Sequence, residues 1–434
     1  MDGDLESAYR AYMDGLNRMS EEARRFMQSI FLIRDPVDEK RGAPLPSDED
    51  IREFWLGRDP LYLTSVNERL LEQCRRVAYA NLRFSDPTLG REGWQTDRGQ
   101  VYIRYGDPRV RYMDGPGRGR KDVWDYGPFT VIFVPTVTWD SWRFVTARLG
   151  NKRLKLEQLV DAVPDIYQHP LQYDAPCQTA QFRHDDGNTR IEVYYALPDE
   201  NVRHTLSEDN GNAGVDARQA LFLFDSGWDT LRHSVAIVER LPRVVYESTD
   251  ESFLLAAERL IIEPGTYFLA AELEDRATKR VGTYRERMQV RPFGRDTLEI
   301  SSLLMARRIR MRENAPYGRE QFAVLPNPLH VCRAEGKAWF YFEIYNLSRD
   351  EYGATHYRVS YQMQSLPEGR GDRATADWTT AVSYSYRGAR DWEPRDLRVD
   401  MDGASPGPRA FRVVVEDLHT GRTATAETRF RVRW

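Results

Sequence analysis

One string constrains this chain more than any other: Gly93-Trp94-Gln95-Thr96-Asp97-Arg98-Gly99, running into Val101-Tyr102-Ile103-Arg104-Tyr105-Gly106 and stopped by Asp107-Pro108. Gly90, Gly93 and Gly99 suit tight bends, because glycine tolerates positive φ. Thr96 and Asp97 carry short side chains able to cap neighbouring backbone N–H groups, and Arg98 has a carboxylate at hand in Asp97. Val101, Ile103 and Tyr105 alternate with Tyr102 and Arg104, and this period of two predicts a strand. Pro108 ends it, since proline has no N–H for a ladder. Two uses of the string stand side by side. It is a loop-to-strand joint with Trp94 plugged into the core, or a site at which its polar side chains meet a ligand. The candidate residues are Gly93, Trp94, Thr96, Asp97, Arg98, Gly99, Arg104, Tyr105 and Asp107, and no histidine or cysteine accompanies them.

The string resembles the signature of the GWxTD-domain proteins, a bacterial family. The likeness continues upstream in Phe54-Trp55-Leu56-Gly57-Arg58-Asp59-Pro60 and in residues 76–84, where the chain reads Arg76-Val77-Ala78-Tyr79-Ala80-Asn81-Leu82-Arg83-Phe84. Downstream it continues in Tyr105-Gly106-Asp107-Pro108, Trp124-Asp125-Tyr126 and Tyr341-Phe342-Glu343-Ile344-Tyr345-Asn346-Leu347, so it covers roughly residues 50–434. The resemblance implies an exported protein with β-sandwich modules after the signature domain. It implies no agreed activity, and no catalytic residue is carried over from it.

A chain of 434 residues has room for two to four domains. Its net charge of −5 and pI of about 5.9 argue against a dedicated nucleic-acid binder, which shows a basic face. Cys74, Cys177 and Cys332 are odd in number and far apart, with no Cys-x-x-Cys, so neither a zinc site nor a disulfide framework is expected. Three thiols, or one disulfide and one thiol, satisfy the count. No apolar run is long enough to span a membrane. Met1-Asp2-Gly3-Asp4-Leu5 has neither the basic start nor the apolar core of an export signal. The export implied by the resemblance therefore leads to the expectation of a periplasmic or cell-surface protein whose gene product starts upstream of Met1. A cytoplasmic location is the alternative.

Taken in order, Leu5, Tyr9, Tyr12, Met13 and Leu16 fall on one helical face, and Ser20-Glu21-Glu22 opens a second helix through Phe26, Ile30 and Phe31. Residues 34–50 read as a linker rich in Pro, Asp and Glu. Ser47 to Asp50 cap a helix through Phe54 and Trp55. A longer helix runs from Ser65 to Phe84, with Leu70, Cys74, Val77, Tyr79, Leu82 and Phe84 inward and Glu68, Arg69, Glu72, Arg75, Arg76 and Arg83 as a solvated face. The loop Asp114 to Lys121 is a mobile basic lip whose Arg118, Arg120 and Lys121 can touch an anionic surface. It lacks the Gly-Lys-Ser/Thr of a phosphate-binding loop. Val123 to Tyr126 and Phe129 to Val134 form a hairpin, Trp139, Trp142 and Phe144 cluster after it, and Leu154 to Val160 is a short helix.

From about residue 175 the texture changes to short alternating strands, among them residues 189–195, 220–224, 233–238, 264–273 and 285–290. A second set covers 339–345, 356–361, 409–417 and 423–432, with a polar hairpin loop at 367–375. Gly407-Pro408-Arg409-Ala410-Phe411 with Asp417 echoes Gly265-Thr266-Tyr267 with Asp275, the mark of a diverged tandem repeat. The predicted fold class is an α+β N-terminal part, helices plus a small antiparallel sheet, followed by two all-β immunoglobulin-like sandwich domains. The domains are 1–47 (helical segment and linker), 48–170 (GWxTD-like), 175–294 and 295–434 (sandwiches).

Chemistry is sparse. No two of the seven histidines lie within four residues of each other, so no local metal motif exists, and no Gly-x-Ser-x-Gly elbow occurs. Neither cofactor nor metal is expected. Asp97 and Asp107 are the pair to consider for a glycosidase. The reading is a non-enzymatic structural or interaction protein of the cell envelope with protein partners. The alternatives are an enzyme or small-ligand binder with its site at the signature loop, and a glycan-binding protein using Trp139, Trp142 and nearby aromatics.

Overall fold

A computed structural model describes residues 2–21, 24, 27, 33, 47–136, 141–165, 167–198, 204–209, 212–246, 251–313, 316, 318–367 and 378–434. They divide into two compact units, 1–172 and 173–434. Most of the second predicted helix, the linker at 34–46, Trp139 and the hairpin loop beyond Pro367 lie outside the described residues.

Among the described residues of the first unit the α-helices are α1 (Asp2–Arg18), α2 (Asp48–Gly57), α3 (Glu68–Phe84), α4 (Asp97–Tyr105) and α5 (Leu156–Ala162). The sheet runs β1 (Val110–Asp114), β2 (Lys121–Asp125), β3 (Phe129–Pro135), β4 (Trp142–Leu149) and β5 (Lys152–Leu154), antiparallel and in chain order. Ser47 caps α2 through a reciprocal box with Asp50, which occupies two of the N–H and hydroxyl groups a helix start leaves open. Asn67 caps α3 by accepting from Leu70 N–H at 2.9 Å. The core joins Cys74, Val77 and Phe84 of α3 to Tyr102 and Ile103 of α4 and Trp124, Val131 and Phe133 of the sheet.

Two expectations are corrected here. Residues 101–105 are not a strand but the body of α4, capped by Thr96. All five side chains are buried, so the alternation of residue types has no polar face to report and carries no information about period. The charged face of α3 is also not uniformly solvated. Glu68, Arg69 and Arg76 are buried, whereas Leu82 is 82% exposed. Arg69 reaches across 96 residues to Asp165 at 2.7 Å, and both side chains are 2% exposed. A guanidinium enters a core only with such a partner.

The second unit is almost wholly β. Its first nine strands are β6 (Gln172–Asp174), β7 (Cys177–Arg183), β8 (Thr189–Pro198), β9 (His204–Asp209), β10 (Asn212–Phe224), β11 (Thr230–Tyr246), β12 (Glu251–Ile262), β13 (Gly265–Asp275) and β14 (Val281–Val290). They follow the order β6-β14-β13-β10-β11-β12-β8-β7, with β9 beside β10. The long β11 pairs first with β10 and then, from Arg243, with β12, which folds the sheet over on itself. Ile191 and Val193 of β8 thereby share a core with Leu221 and Leu223 of β10 and Leu269 and Leu273 of β13.

The remaining strands are β15 (Glu299–Ile300), β16 (Leu304–Met311), β17 (Phe322–Pro326), β18 (Val331–Arg333), β19 (Lys337–Tyr345), β20 (Thr355–Ser365), β21 (Thr379–Gly388), β22 (Trp392–Asp400), β23 (Gly407–Asp417) and β24 (Thr423–Arg433). One sheet has the order β15-β19-β16-β17 with β22 on β19; the other is β18-β24-β23-β20-β21. Phe340, Phe342 and Ile344 of the first pack on Phe411, Val413 and Val415 of the second, and the rings of Phe340 and Phe411 stack at 4.1 Å. This part of the chain is mostly β and sandwich-like.

The repeat glimpsed in the sequence reappears in the Oδ1 and main-chain hydrogen bonds at the end of β13 and of β23, while Oδ2 accepts from Thr278 Oγ1 in the first and from Ser348 N–H in the second. Asp275 Oδ1 accepts from Ala277 N–H (2.9 Å) and Thr278 N–H (3.3 Å); Asp417 Oδ1 accepts from His419 N–H (2.9 Å) and Thr420 N–H (3.3 Å). Lys279 N–H then donates to Asp275 O, and Gly421 N–H to Asp417 O, each at 2.7 Å. Pairings recur likewise: β8 with β12, β10 with β11 and β13, and β13 with β14 match β19 with β22, β20 with β21 and β23, and β23 with β24.

β7 lies against the later strands. Ala180 and Phe182 share a small core with Leu304, Ile309, Phe322 and Tyr341. Beside it, Glu192 and Glu343, each 2% exposed, are held by Arg190 and Arg319. Arg190 donates to Glu343 at 3.0 Å and Arg319 to Glu192, while the hydroxyls of Tyr341 (3.1 Å) and Tyr345 (2.7 Å) also donate to Glu343. Arg259 Nε also lies 3.5 Å from Glu192, so three guanidiniums face the two buried carboxyl groups, and such partners are what charged side chains need at this burial.

Candidate functional site

The signature string is built outward from α3. Asn81 Oδ1 accepts from Trp94 N–H at 3.0 Å, and Ser85 Oγ accepts from Gly93 N–H at 2.9 Å. A short 3₁₀ turn over Gly93–Gln95 is thereby pinned to the helix, and Gln95 closes it by accepting from Glu92 N–H. Only glycine fits at two of these points. A Cβ on Gly93 would stand 1.8 Å from Ala80 O, and one on Gly99 would stand 1.8 Å from Gly93 O. Positive φ is the reason for Gly90 alone, at +61°; Gly93 and Gly99 are there for close backbone approach.

Thr96 works in both directions. Its hydroxyl donates to Gly93 O (2.7 Å) and accepts from Gly99 N–H (3.1 Å), so one side chain closes the turn and caps α4. Asp97, in the first helical turn, does not pair with Arg98. Its Oδ2 accepts from Phe144 N–H at 2.6 Å, beside the bulge that inserts Val145 into β4. Arg98 turns inward, with its guanidinium 5.1 Å from the Phe84 ring and 5.0 Å from the Trp142 ring, and its Nη1 lies 3.4 Å from Asp122. Arg104, 2% exposed, donates to Val160 O at 3.2 Å, and the Tyr105 hydroxyl donates to Val163 O at 3.1 Å. Trp94 is half-buried against the core, with Nε1 donating to Glu92 at 2.8 Å.

Asp107 belongs to a different group. The Tyr102 hydroxyl donates to it at 3.0 Å and Arg75 Nη2 at 3.1 Å, while Arg75 also donates to Tyr102 at 3.0 Å and to Glu72. Burial pushes the Tyr102 hydroxyl up to about 12, so it stays a donor at neutral pH. Burial also raises the Glu72 carboxyl, but Arg75 and Arg76 outweigh it, and the group settles below its ordinary value. Asp97 and Asp107 flank the two ends of a nine-residue helix, about 14 Å of axial rise. A glycosidase needs its carboxylates within about 5–9.5 Å, so these two do not form such a pair.

Sequence reasoning missed Asn81 and Asp122. Asp122 is fully buried and accepts from Arg111 (3.0 and 2.7 Å) and from Trp124 Nε1 (2.8 Å). Its signal was available, since Asp122 lies two residues before Trp124 in a strand and so shares its inward face. Trp142 is 8% exposed with guanidiniums of Arg98 and Arg120 beside it, so it offers no open platform for a sugar ring. In the basic lip, Arg120 lies over Trp142 and Lys121 Nζ is 4.0 Å from Asp114.

Among the described residues no group of three metal-ligating side chains occurs, the three cysteines are free thiols, and no helix is long and apolar enough to cross a membrane.

No family model matches the chain, and no curated protein does. Among solved structures it is similar to a Bacteroides uniformis β-glucuronidase at 6% identity, covering 56% of this chain and 26% of that one, with a TM-score of 0.21. It is likewise similar to trypsin-activated α-2-macroglobulin from Escherichia coli at 11% identity, covering 73% and 23%, with a TM-score of 0.21. The chain thus spans about a quarter of the length of the structures it matches.

Proposed function

We propose that this is a non-enzymatic structural or interaction protein whose two immunoglobulin-like modules bind protein partners within a cell-envelope assembly. The observation that carries the reading is the free edge of β11. Over Thr230–Val238, among the described residues, β11 pairs only with β10, and Leu231, Val235 and Ile237 on it are 48%, 50% and 62% exposed. An unpaired strand with an apolar row is a template for a partner's strand, which adds main-chain hydrogen bonds for affinity and side-chain contacts for specificity. The tandem equivalent, β21, pairs among the described residues only with β20 and exposes Tyr384.

The signature loop fits a supporting role, because its polar side chains are engaged with neighbouring backbone and side chains of its own unit. The test is affinity recovery of the tagged chain from its host, with cell fractionation and mass spectrometry. Envelope recovery with fixed, stoichiometric partners is expected, as is loss of those partners from a Val235→Lys/Ile237→Lys variant. Recovery of the chain alone in the soluble fraction overturns the reading.

A further inference from the structure

We propose that the end of the second sandwich carries a binding cleft for a small phosphate-bearing molecule, a function separate from the docking edge. The ladder between β16 and β19 stops at the Ala306–Trp339 pair, while β16 continues along β17 to Met311. The two strands diverge from that point, and an open cleft of about 510 Å³ lies where they part. That volume falls within the roughly 300–1,000 Å³ of small-molecule sites.

The charge of the cleft is one-sided. Arg307, Arg308, Arg333 and Lys337 line it, against Glu335 as the acid. The whole chain carries a net charge of −5, so this concentration runs against the background. Two local devices bring the cations together. A bulge between Ala306 and Arg308 sets two residues of β16 against one of β17, and bulges of this kind re-aim side chains. A tight turn closed by Gly336 N–H donating to Arg333 O puts Arg333 and Lys337 at its two feet. Behind them the parallel pairing of β18 with β24 sets Arg433 opposite Arg333, while the ladder of β19 with β22 sets Asp400 opposite Lys337, so these two flanking charges offset each other and the excess rests on the lining cations.

Arg308, Arg333, Lys337 and Arg433 have no ion-pair partner among the described residues, and all four are exposed. Like charges crowded in a concave site repel one another and focus a positive potential there. A phosphate ester relieves this, because its charge and three oxygens engage several cations at once, bidentately in the case of arginine. A polymer is not needed to explain a cleft of this size.

The experiment is calorimetric titration of the full chain at constant ionic strength, with pyrophosphate as probe and citrate as the carboxylate comparison. The variants are Arg308→Gln/Lys337→Gln and, as a control on an exposed cation of the other compact unit, Lys152→Gln. Exposed and unpaired side chains are replaced, so unliganded melting temperatures should match the wild type. Saturable single-site pyrophosphate binding is expected, weakened about tenfold or more in the double variant by the loss of two charge-assisted contacts, and unchanged in the control. The proposal is overturned by absence of saturable binding, by equal binding in the double variant, or by citrate binding as tightly as pyrophosphate.

Discussion

Replacing Asp97 by alanine separates the two uses of the signature string. The carboxylate does two things in the structure: it accepts from Phe144 N–H at 2.6 Å and it sits in the first turn of α4. A hydrogen bond to a charged group contributes about 1.5–3 kcal/mol. Asp97 and Phe144 are both half-buried, so water partly replaces the lost acceptor and the low end applies. An acid at a helix N-terminus adds about 0.3–1 kcal/mol. The sum is about 2–3 kcal/mol, or a fall of about 5–10 °C in melting temperature for a unit of this size. Asp97→Asn keeps an oxygen acceptor and loses only the charge, so its cost should be about 1 kcal/mol. Because the chain has two compact units, the assay is scanning calorimetry with the transition of residues 1–172 resolved from that of 173–434. A melting curve for Asp97→Ala that matches the wild type would refute the anchoring role and return the carboxylate to the list of ligand-binding groups.

Three other outcomes follow from the same unit. Gly99→Ala places a methyl group 1.8 Å from Gly93 O, a backbone atom that cannot swing aside; the cost should reach about 3 kcal/mol or more, read as loss of the first calorimetric transition. Asp165→Ala leaves Arg69 buried without its partner; about 3–5 kcal/mol is expected, and Arg69→Met/Asp165→Leu should recover most of it in denaturant titration. The depressed Glu72 carboxyl binds protons more readily in the unfolded chain than in the folded one. Its contribution is therefore in place above the unfolded carboxyl value of 4.5 and is lost as pH falls below it towards the folded value. A Glu72→Gln variant should accordingly show a shallower loss of stability between pH 5 and pH 3, and an unchanged slope would count against the reading.

How legible the molecule was in its residues varied with burial. The cap of α2 and the hairpin of β2 and β3 were readable because short polar side chains and alternating apolar residues act locally, whereas α3 starts at Glu68 behind an Asn67 cap rather than at Ser65. The Asp275 and Asp417 turns were readable because the same side chain makes the same hydrogen bonds in both copies. Val101 to Tyr105 were misread because burial on every side erases the polar face from which period is inferred. Arg69 and Arg76 were misread because a charged side chain on a helix gives no sign of whether a distant carboxylate, here Asp165 for both, will meet it.

By itself, then, the sequence determined the β-rich character of residues 173–434, the helical lead-in before the signature string and the repeated turn, all of which rest on contacts between near neighbours in the chain. Tertiary structure alone decided that Gly93 and Gly99 serve close backbone packing, that Asp97 anchors a strand 47 residues away, and that four cations from a bulge and a turn converge on one cleft. These depend on distances between segments far apart in sequence, and such distances are fixed only when the whole core packs.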